Sequence, residues 1–266
     1  MPPTDPEFKK QLLETVDPSV GRAERHQLSR LIDEFRDVFS QSEYDLGQTG
    51  IVKHTIDTAD HRPIKQGLRR HTPPHQQTIK EHTAMMMKQG LVEPASSEWA
   101  ANVVLVKKKT GELRFYIDYG KLNEATKKDA YTLPRIEECL DAMSRARWFS
   151  TFDLRSGYHQ VLVDPASSDK TTFISREGTF RFKVMPFALC NAPSTFQRLM
   201  DLVISGLKLE ICLQRLRKIF ERLRVAKLKL KPTKCKLLQR RVGFLGHVVS
   251  EEGIAMNPEK IKSGET

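Results

Sequence analysis

No two aspartates adjoin anywhere in the 266 residues, and the other scarcities are equally restrictive. There are four cysteines, Cys139, Cys190, Cys212 and Cys235, widely spread and without a CxxC pair. That spacing indicates neither a zinc knuckle nor a disulfide framework, and it fits a reducing compartment. His71 and His75 have helical ligand spacing, but Pro73 and Pro74 lie between them and no acid or cysteine completes a metal set, so they read as loop residues. No run approaches the roughly 18 apolar residues of a membrane span. The opening "MPPTDPEFKK" has no apolar signal region. The expectation is an intracellular protein with no membrane association, the cytoplasm and the nucleus being indistinguishable.

Charge of one sign is abundant. Forty-four Lys and Arg stand against 33 Asp and Glu, leaving +11 and a sequence pI near 9.5. Such an excess favours polyanionic partners such as nucleic acid, the alternative being a basic protein whose charges are simply solvated. Composition leaves both open.

Periodicity supplies the organisation. Leu28, Leu31, Ile32, Phe35, Val38 and Phe39 recur at helical spacing and predict one amphipathic helix near the N-terminus. Residues 41 to 75 are polar, broken by Gly47, Gly50, Pro63, Gly67, Pro73 and Pro74, and carry the basic cluster "LRRH", which reads as an extended linker. A helix from about 76 to 89 follows, with Gly90 as its stop. "ANVVLVKKKTGELRFYIDY" alternates on both sides of "KKTGE" and predicts a β-hairpin, as does "TTFISREGTFRFKVMPF". Pro134 opens a helix with Ile136, Leu140 and Met143 on one face. Asn191 and Pro193 start another that stops at Gly206, and Leu216, Ile219, Phe220 and Leu223 mark a third. Helices and strands mix without a βαβ period, so the expected class is α+β on an antiparallel sheet.

The stretch "WFSTFDLRSGYHQVLV" places Asp153 where a short apolar strand ends. A carboxylate there can hold a hard divalent cation, which prefers oxygen ligands. The plain alternative is an aspartate that closes the turn into "RSGYH".

Four ordered stretches, "VVLVKKKTGELRFYIDYGKLN", "YTLPRIEECLDAMSRARWFSTFDLRSGYHQ", "TTFISREGTFRFKVMPFALCNAPSTFQRLM" and "LKLKPTKCKLLQRRVGFLGHVVSEEGI", resemble the reverse transcriptase of gypsy-type LTR retrotransposons. The resemblance covers roughly residues 20 to 260. It implies right-hand polymerase fingers and palm, α+β, with an N-terminal helix and linker over 1–75 and fingers and palm over 76–266, ending at the start of the thumb. It implies two-metal nucleotidyl transfer with Mg²⁺ or Mn²⁺, an RNA or DNA primer-template and deoxynucleoside triphosphates, and leaves the oligomeric state open. By the same resemblance Asp153 is the first metal-binding carboxylate, with the carbonyl of Leu154 beside it. Tyr158 lies under the incoming sugar. Lys108 and Arg114 grip the triphosphate, Phe187 and Ala188 line the nucleotide pocket, and Leu245 with Gly246 forms the primer grip.

This chain departs from that pattern. The family carries two further carboxylates on a Tyr-x-Asp-Asp hairpin that should follow "LEICL", yet here "LEICL" runs straight into "QRLRKIFERLR", so the hairpin is missing between Leu213 and Gln214. Asp164 and Asp201 are the nearest substitutes, one beyond the tyrosine turn and one on a helix. Gly120 replaces a usual arginine, which removes a buried-charge partner from Asp118, and Ala188 replaces a usual glycine in the pocket. Loss of a central hairpin also leaves the Asp153 strand with an unpaired neighbour and predicts a loose fold. The expected function is a retrotransposon-derived reverse transcriptase domain, catalytically inactive as written, with impaired metal binding. The alternatives are a non-catalytic basic nucleic-acid-binding remnant, or an active polymerase whose gene model, through a mis-spliced boundary, has lost an internal segment that the true product keeps.

Overall fold

The computed structural model describes residues 6–42, 45–107, 111, 113–132, 134–143, 146–204 and 212–256. Helices α1 (Pro6–Glu14) and α2 (Arg22–Glu34) open the chain, followed by β1 (Thr49–His54), α3 (Pro73–Lys88), β2 (Val92–Pro94), β3 (Ala101–Lys107) and β4 (Leu113–Asp118). Next come α4 (Gly120–Ala125), α5 (Ile136–Met143), β5 (Phe149–Thr151), β6 (Val161–Val163), α6 (Pro165–Ser168), β7 (Phe173–Ser175) and β8 (Gly178–Phe182). Helices α7 (Ala192–Ile204) and α8 (Cys212–Val225) precede β9 (Lys236–Gln239), β10 (Arg241–Phe244), β11 (His247–Ser250) and β12 (Gly253–Met256). No described helix is long and apolar enough to cross a membrane.

Two compact units divide the chain: residues 1–45, 132–155 and 203–266 form the first, and 46–131 with 156–202 form the second. The boundary expected at residue 75 falls inside the second unit.

In the second unit a five-stranded sheet runs in the order β2-β8-β7-β3-β4. Both predicted hairpins are present, β3 with β4 and β7 with β8, each antiparallel. The sheet itself is mixed, because β3 and β7 pair in parallel. The antiparallel pairing that was expected holds within each hairpin, and the long connection from 119 to 172 is what lets β7 return parallel to β3. Alternation buries Val103, Ile117, Phe173, Phe180 and Phe182. Helix α3 starts three residues earlier than expected, with prolines at its first two positions, where no amide partner is lost. His75 therefore lies in the first helical turn rather than in a loop. Gly90, at φ +69°, ends the helical segment as expected. The expected linker is also corrected: β1 pairs in parallel with β6, and His54, Ile56 and Thr58 are buried.

The first unit is built on aromatic packing. The α2 stripe, with Phe35, Val38 and Phe39 just beyond it, is wholly buried. Phe220 of α8 packs against Phe35 at 5.7 Å, Phe39 at 5.3 Å and Phe152 at 5.9 Å between ring centroids. Arg224 adds a guanidinium 4.2 Å over the Phe35 ring and an Nε donor 2.8 Å from Asp37. A smaller cluster joins α5 to the strands: Leu140, Phe149, Val242 and Val249 are buried together. The Asp153 strand has a partner, β5 pairing antiparallel with β9. The expected unpaired neighbour is thus met on one side only.

Two histidines of the second unit are held neutral. Burial lowers the pKa of His54 to about 4, and its Nδ1 shares a 2.9 Å hydrogen bond with the Thr195 hydroxyl. Burial lowers His159 to about 4 as well, among the rings of Phe182 and Phe187. Both values lie below the ordinary 6.5, so the unfolded chain takes up these protons first. The stability they permit is intact above pH 6.5 and is lost as the pH falls toward 4. Each histidine contributes a slope of about 1.4 kcal/mol per pH unit in that window. His159→Phe should roughly halve the loss of urea stability between pH 6.5 and 5; an unchanged pH slope would contradict this assignment.

Candidate functional site

The residues expected to form the site divide between the two units, and each set has its own local geometry. In the second unit Ser156, at φ +46°, ends the descent from the Asp153 strand and lets a short 3-10 turn, Gly157–Gln160, present Tyr158. The Tyr158 ring packs 5.4 Å from Phe187 and 5.3 Å from Phe196 of α7. Burial raises the Tyr158 phenol above its ordinary value, so it stays a neutral ring with a hydroxyl tip. His159 closes the cluster, 5.0 Å from Phe187. Phe187 remains 44% exposed.

Ala188 follows in a left-handed conformation, φ +72°. A glycine takes that conformation freely, whereas an L side chain is strained there. The strain is held by Asn123, whose Nδ2 donates to the Ala188 carbonyl at 2.8 Å while its Oδ1 accepts from the Cys190 amide at 2.9 Å. Asn191 makes a second clamp, donating to the Lys127 carbonyl at 2.8 Å and accepting from the Asp129 amide at 3.1 Å. These two asparagines fix the pocket loop, a role that local periodicity does not reveal. Arg114 on β4 is exposed, with Tyr116 as its nearby hydroxyl. Lys108 lies outside the described residues.

In the first unit Asp153 is exposed two residues beyond β5. Its backbone is fixed by the segment before β9: the Lys231 amide donates to the Asp153 carbonyl at 2.7 Å, and the Arg155 amide donates to the Lys229 carbonyl at 3.0 Å. Leu154 forms an antiparallel bridge with Leu230. Cys235 is buried nearby, and burial pushes its thiol up to about 11, so it is no thiolate ligand. Cys139, Cys190 and Cys235 are all free thiols. The register Phe244↔His247 makes Leu245 and Gly246 a two-residue hairpin loop, both residues at positive φ, +45° and +89°. Leu245 is strained and 58% exposed.

The substitutes for the missing acids are occupied elsewhere. Asp164 caps α6 by accepting from the Ala166 amide at 3.0 Å, and Asp201 accepts from Gln197 at 2.7 Å and from the Tyr131 hydroxyl. Asp118 is corrected from the sequence reading. It is exposed and accepts from the Gly120 amide at 3.1 Å, so no buried charge was orphaned when arginine gave way to glycine. Among the described residues no three His, Cys, Asp or Glu side chains gather as a set able to hold a metal ion. A pair of divalent ions needs several carboxylates to neutralise it, and Asp153 with one carbonyl beside it does not fit that requirement.

Comparison with known proteins places this geometry. A family model described as reverse transcriptase (RNA-dependent DNA polymerase) matches residues 106–215. The retrovirus-related Pol polyprotein from transposon 297 of Drosophila melanogaster is 32% identical across 92% of this chain and 25% of its own length. That from transposon gypsy of the same organism is 28% identical across 85% of this chain and 24% of its own. The chain thus spans about a quarter of the length of these curated relatives. A solved foamy viral protease-reverse transcriptase in complex with RNA/DNA hybrid superposes with a TM-score of 0.86 at 22% identity, over 98% of this chain and 37% of that one. That likeness establishes the fold, α+β fingers and palm. The family model and the Pol polyproteins, independently of that structure, make this chain similar to the reverse transcriptases of LTR retrotransposons.

Proposed function

We propose that this reverse transcriptase domain binds a primer-template and a deoxynucleotide but, as the chain stands, does not join them. The observation that carries the reading is the solitude of Asp153. The scaffold that presents this carboxylate is held by backbone hydrogen bonds, while Leu213 already lies in the first turn of α8 and the acid pair that polymerisation requires is absent from the sequence. Phosphoryl transfer of this kind is nearly all positioning and charge stabilisation, so a lone carboxylate leaves the chemistry unsupported.

The other residues keep their parts in this reading. Tyr158, with the exposed Phe187 beside it, is the platform under the sugar, where a flat ring excludes a 2′-hydroxyl. Arg114, with Lys108 on the same hairpin by sequence, supplies cations for the triphosphate. The Leu245–Gly246 turn is the primer grip. An exposed leucine held at positive φ is poor stability design, and such strain collects at positions kept for contact. The net charge of +11 supports binding to a polyanion.

Restoring the Tyr-x-Asp-Asp hairpin between Leu213 and Gln214, in a chain lengthened to include the rest of the polymerase, should produce primer extension in Mg²⁺ buffer. Asp153→Asn in that background should lower extension about a thousandfold, equivalent to ~4 kcal/mol in the transition state. Equal extension with and without that substitution would make Asp153 a turn residue.

Ala188→Gly tests the pocket loop separately. Relief of left-handed strain, about 1–2 kcal/mol, exceeds the added glycine entropy of about 0.5–1 kcal/mol. Urea unfolding should therefore show a stability gain of up to about 1 kcal/mol. A loss of stability would mean that the methyl group packs rather than strains.

A further inference from the structure

The second unit encloses a cavity of about 390 Å³ between residues 68–71, the start of α3, β3 and the β7–β8 turn. Its volume lies within the range of small-ligand sites. Its lining includes the buried Ile79 and Val103 with the half-buried Ile174, and the exposed Arg69, Arg70 and Arg176, which sets an apolar floor against a basic, solvent-facing rim. Glu177 is the one acid in the lining.

These arginines differ from others of the same unit. Arg181 is held between Glu93 and Asp169, 2.7 Å from each, and Arg198 lies 2.6 Å from Asp129. Among the described residues no acid pairs with Arg69, Arg70 or Arg176. Arg176 donates to the neutral Gln76 side chain at 3.0 Å. The rim is nonetheless fixed in place: the Arg69 amide donates to Asn102 Oδ1 at 3.0 Å, and Gln76 Nε2 donates to the His71 carbonyl at 2.8 Å. His71 also reports the local field, its pKa held below the ordinary value first by burial and then by the charges of Arg69 and His75. Unpaired planar guanidiniums on a rigid rim are suited to phosphate oxygens. An apolar floor beneath them suits the face of a base or sugar, which an unpaired strand exposes and the stacked interior of a duplex does not.

We propose that this cavity seats one nucleotide of a single-stranded nucleic acid, its phosphate on Arg69, Arg70 and Arg176 and its base on the apolar floor. The inference rests on the reading that the chain binds nucleic acid, and it adds a contact separate from the Tyr158 pocket.

The test is fluorescence anisotropy with a labelled oligothymidylate of about twelve nucleotides, a length within the footprint of single-strand binders, over a range of salt. The R69A/R70A double variant should bind about tenfold more weakly, with a salt slope shallower by about 1.4, the share of two phosphate contacts to a single strand. The Lys80→Ala/Lys88→Ala double variant removes equal charge from exposed positions on α3 and should weaken binding less than about twofold. Arg176→Ala provides an independent check from the other wall and should also weaken binding, and all five side chains, being exposed, should leave the urea midpoint unchanged when removed. Equal losses in the R69A/R70A and lysine variants would overturn the site in favour of general charge attraction. Displacement of the strand by inorganic phosphate or thymidine monophosphate at concentrations no higher than its own would make this a free-nucleotide site and overturn the strand assignment. Failure of the unaltered chain to bind any oligonucleotide would overturn both this inference and the function on which it rests.

Discussion

Asp153 stands where it does because of two backbone hydrogen bonds, from the Lys231 amide to its own carbonyl and from the Arg155 amide to that of Lys229. A third link, the bridge between Leu154 and Leu230, completes the register. None of these partners belongs to the missing hairpin. Backbone groups in the interior of a fold must be paired somewhere, and here the segment before β9 takes them up. The presentation of the carboxylate is thereby uncoupled from the acids that should accompany it. Deleting the hairpin subtracts charge from the site without removing the support beneath Asp153.

The second unit shows the same separation of scaffold from chemistry. Its pocket loop is held by Asn123 and Asn191, each bonded to backbone across a gap of more than sixty residues. That clamp keeps Ala188 in a conformation that a glycine would occupy at no cost. The aromatic stack of Tyr158, Phe187 and Phe196 then needs only packing to persist. In the proposed function this stack is the substrate platform, and none of its ring contacts involves the acids that the resemblance calls for.

Where structure follows from neighbours in sequence, the chain was legible. Strict alternation marked both hairpins, and the Leu28 to Phe39 stripe marked the buried face of α2 and the turn after it. Pro73 was read as a breaker, whereas at the first position of a helix it is tolerated and begins α3. The segment containing β1 read as linker because Gly47, Gly50 and Pro63 punctuate it, and its partner β6 lies more than a hundred residues away. No local signal encodes such a pairing, or the parallel match of β3 with β7. Asn123 was likewise silent, since an asparagine on a short helix reads as solvent-facing until the loop it clamps is seen. Tyr158, Phe187 and Ala188 were named from the family resemblance, whereas the asparagines that clamp their loop were not read from the sequence at all.

A single-turnover experiment on the unaltered chain addresses the central claim, that a folded and binding-competent scaffold outlives its chemistry. A labelled primer-template is first titrated to saturation, and the next complementary deoxynucleotide is then added with Mg²⁺ or Mn²⁺ while single-nucleotide extension is followed for hours. The account predicts saturable, salt-sensitive binding and no extension above the uncatalysed background. Extension from that complex would contradict it, since Asp153 would then have found carboxylate partners elsewhere in the chain.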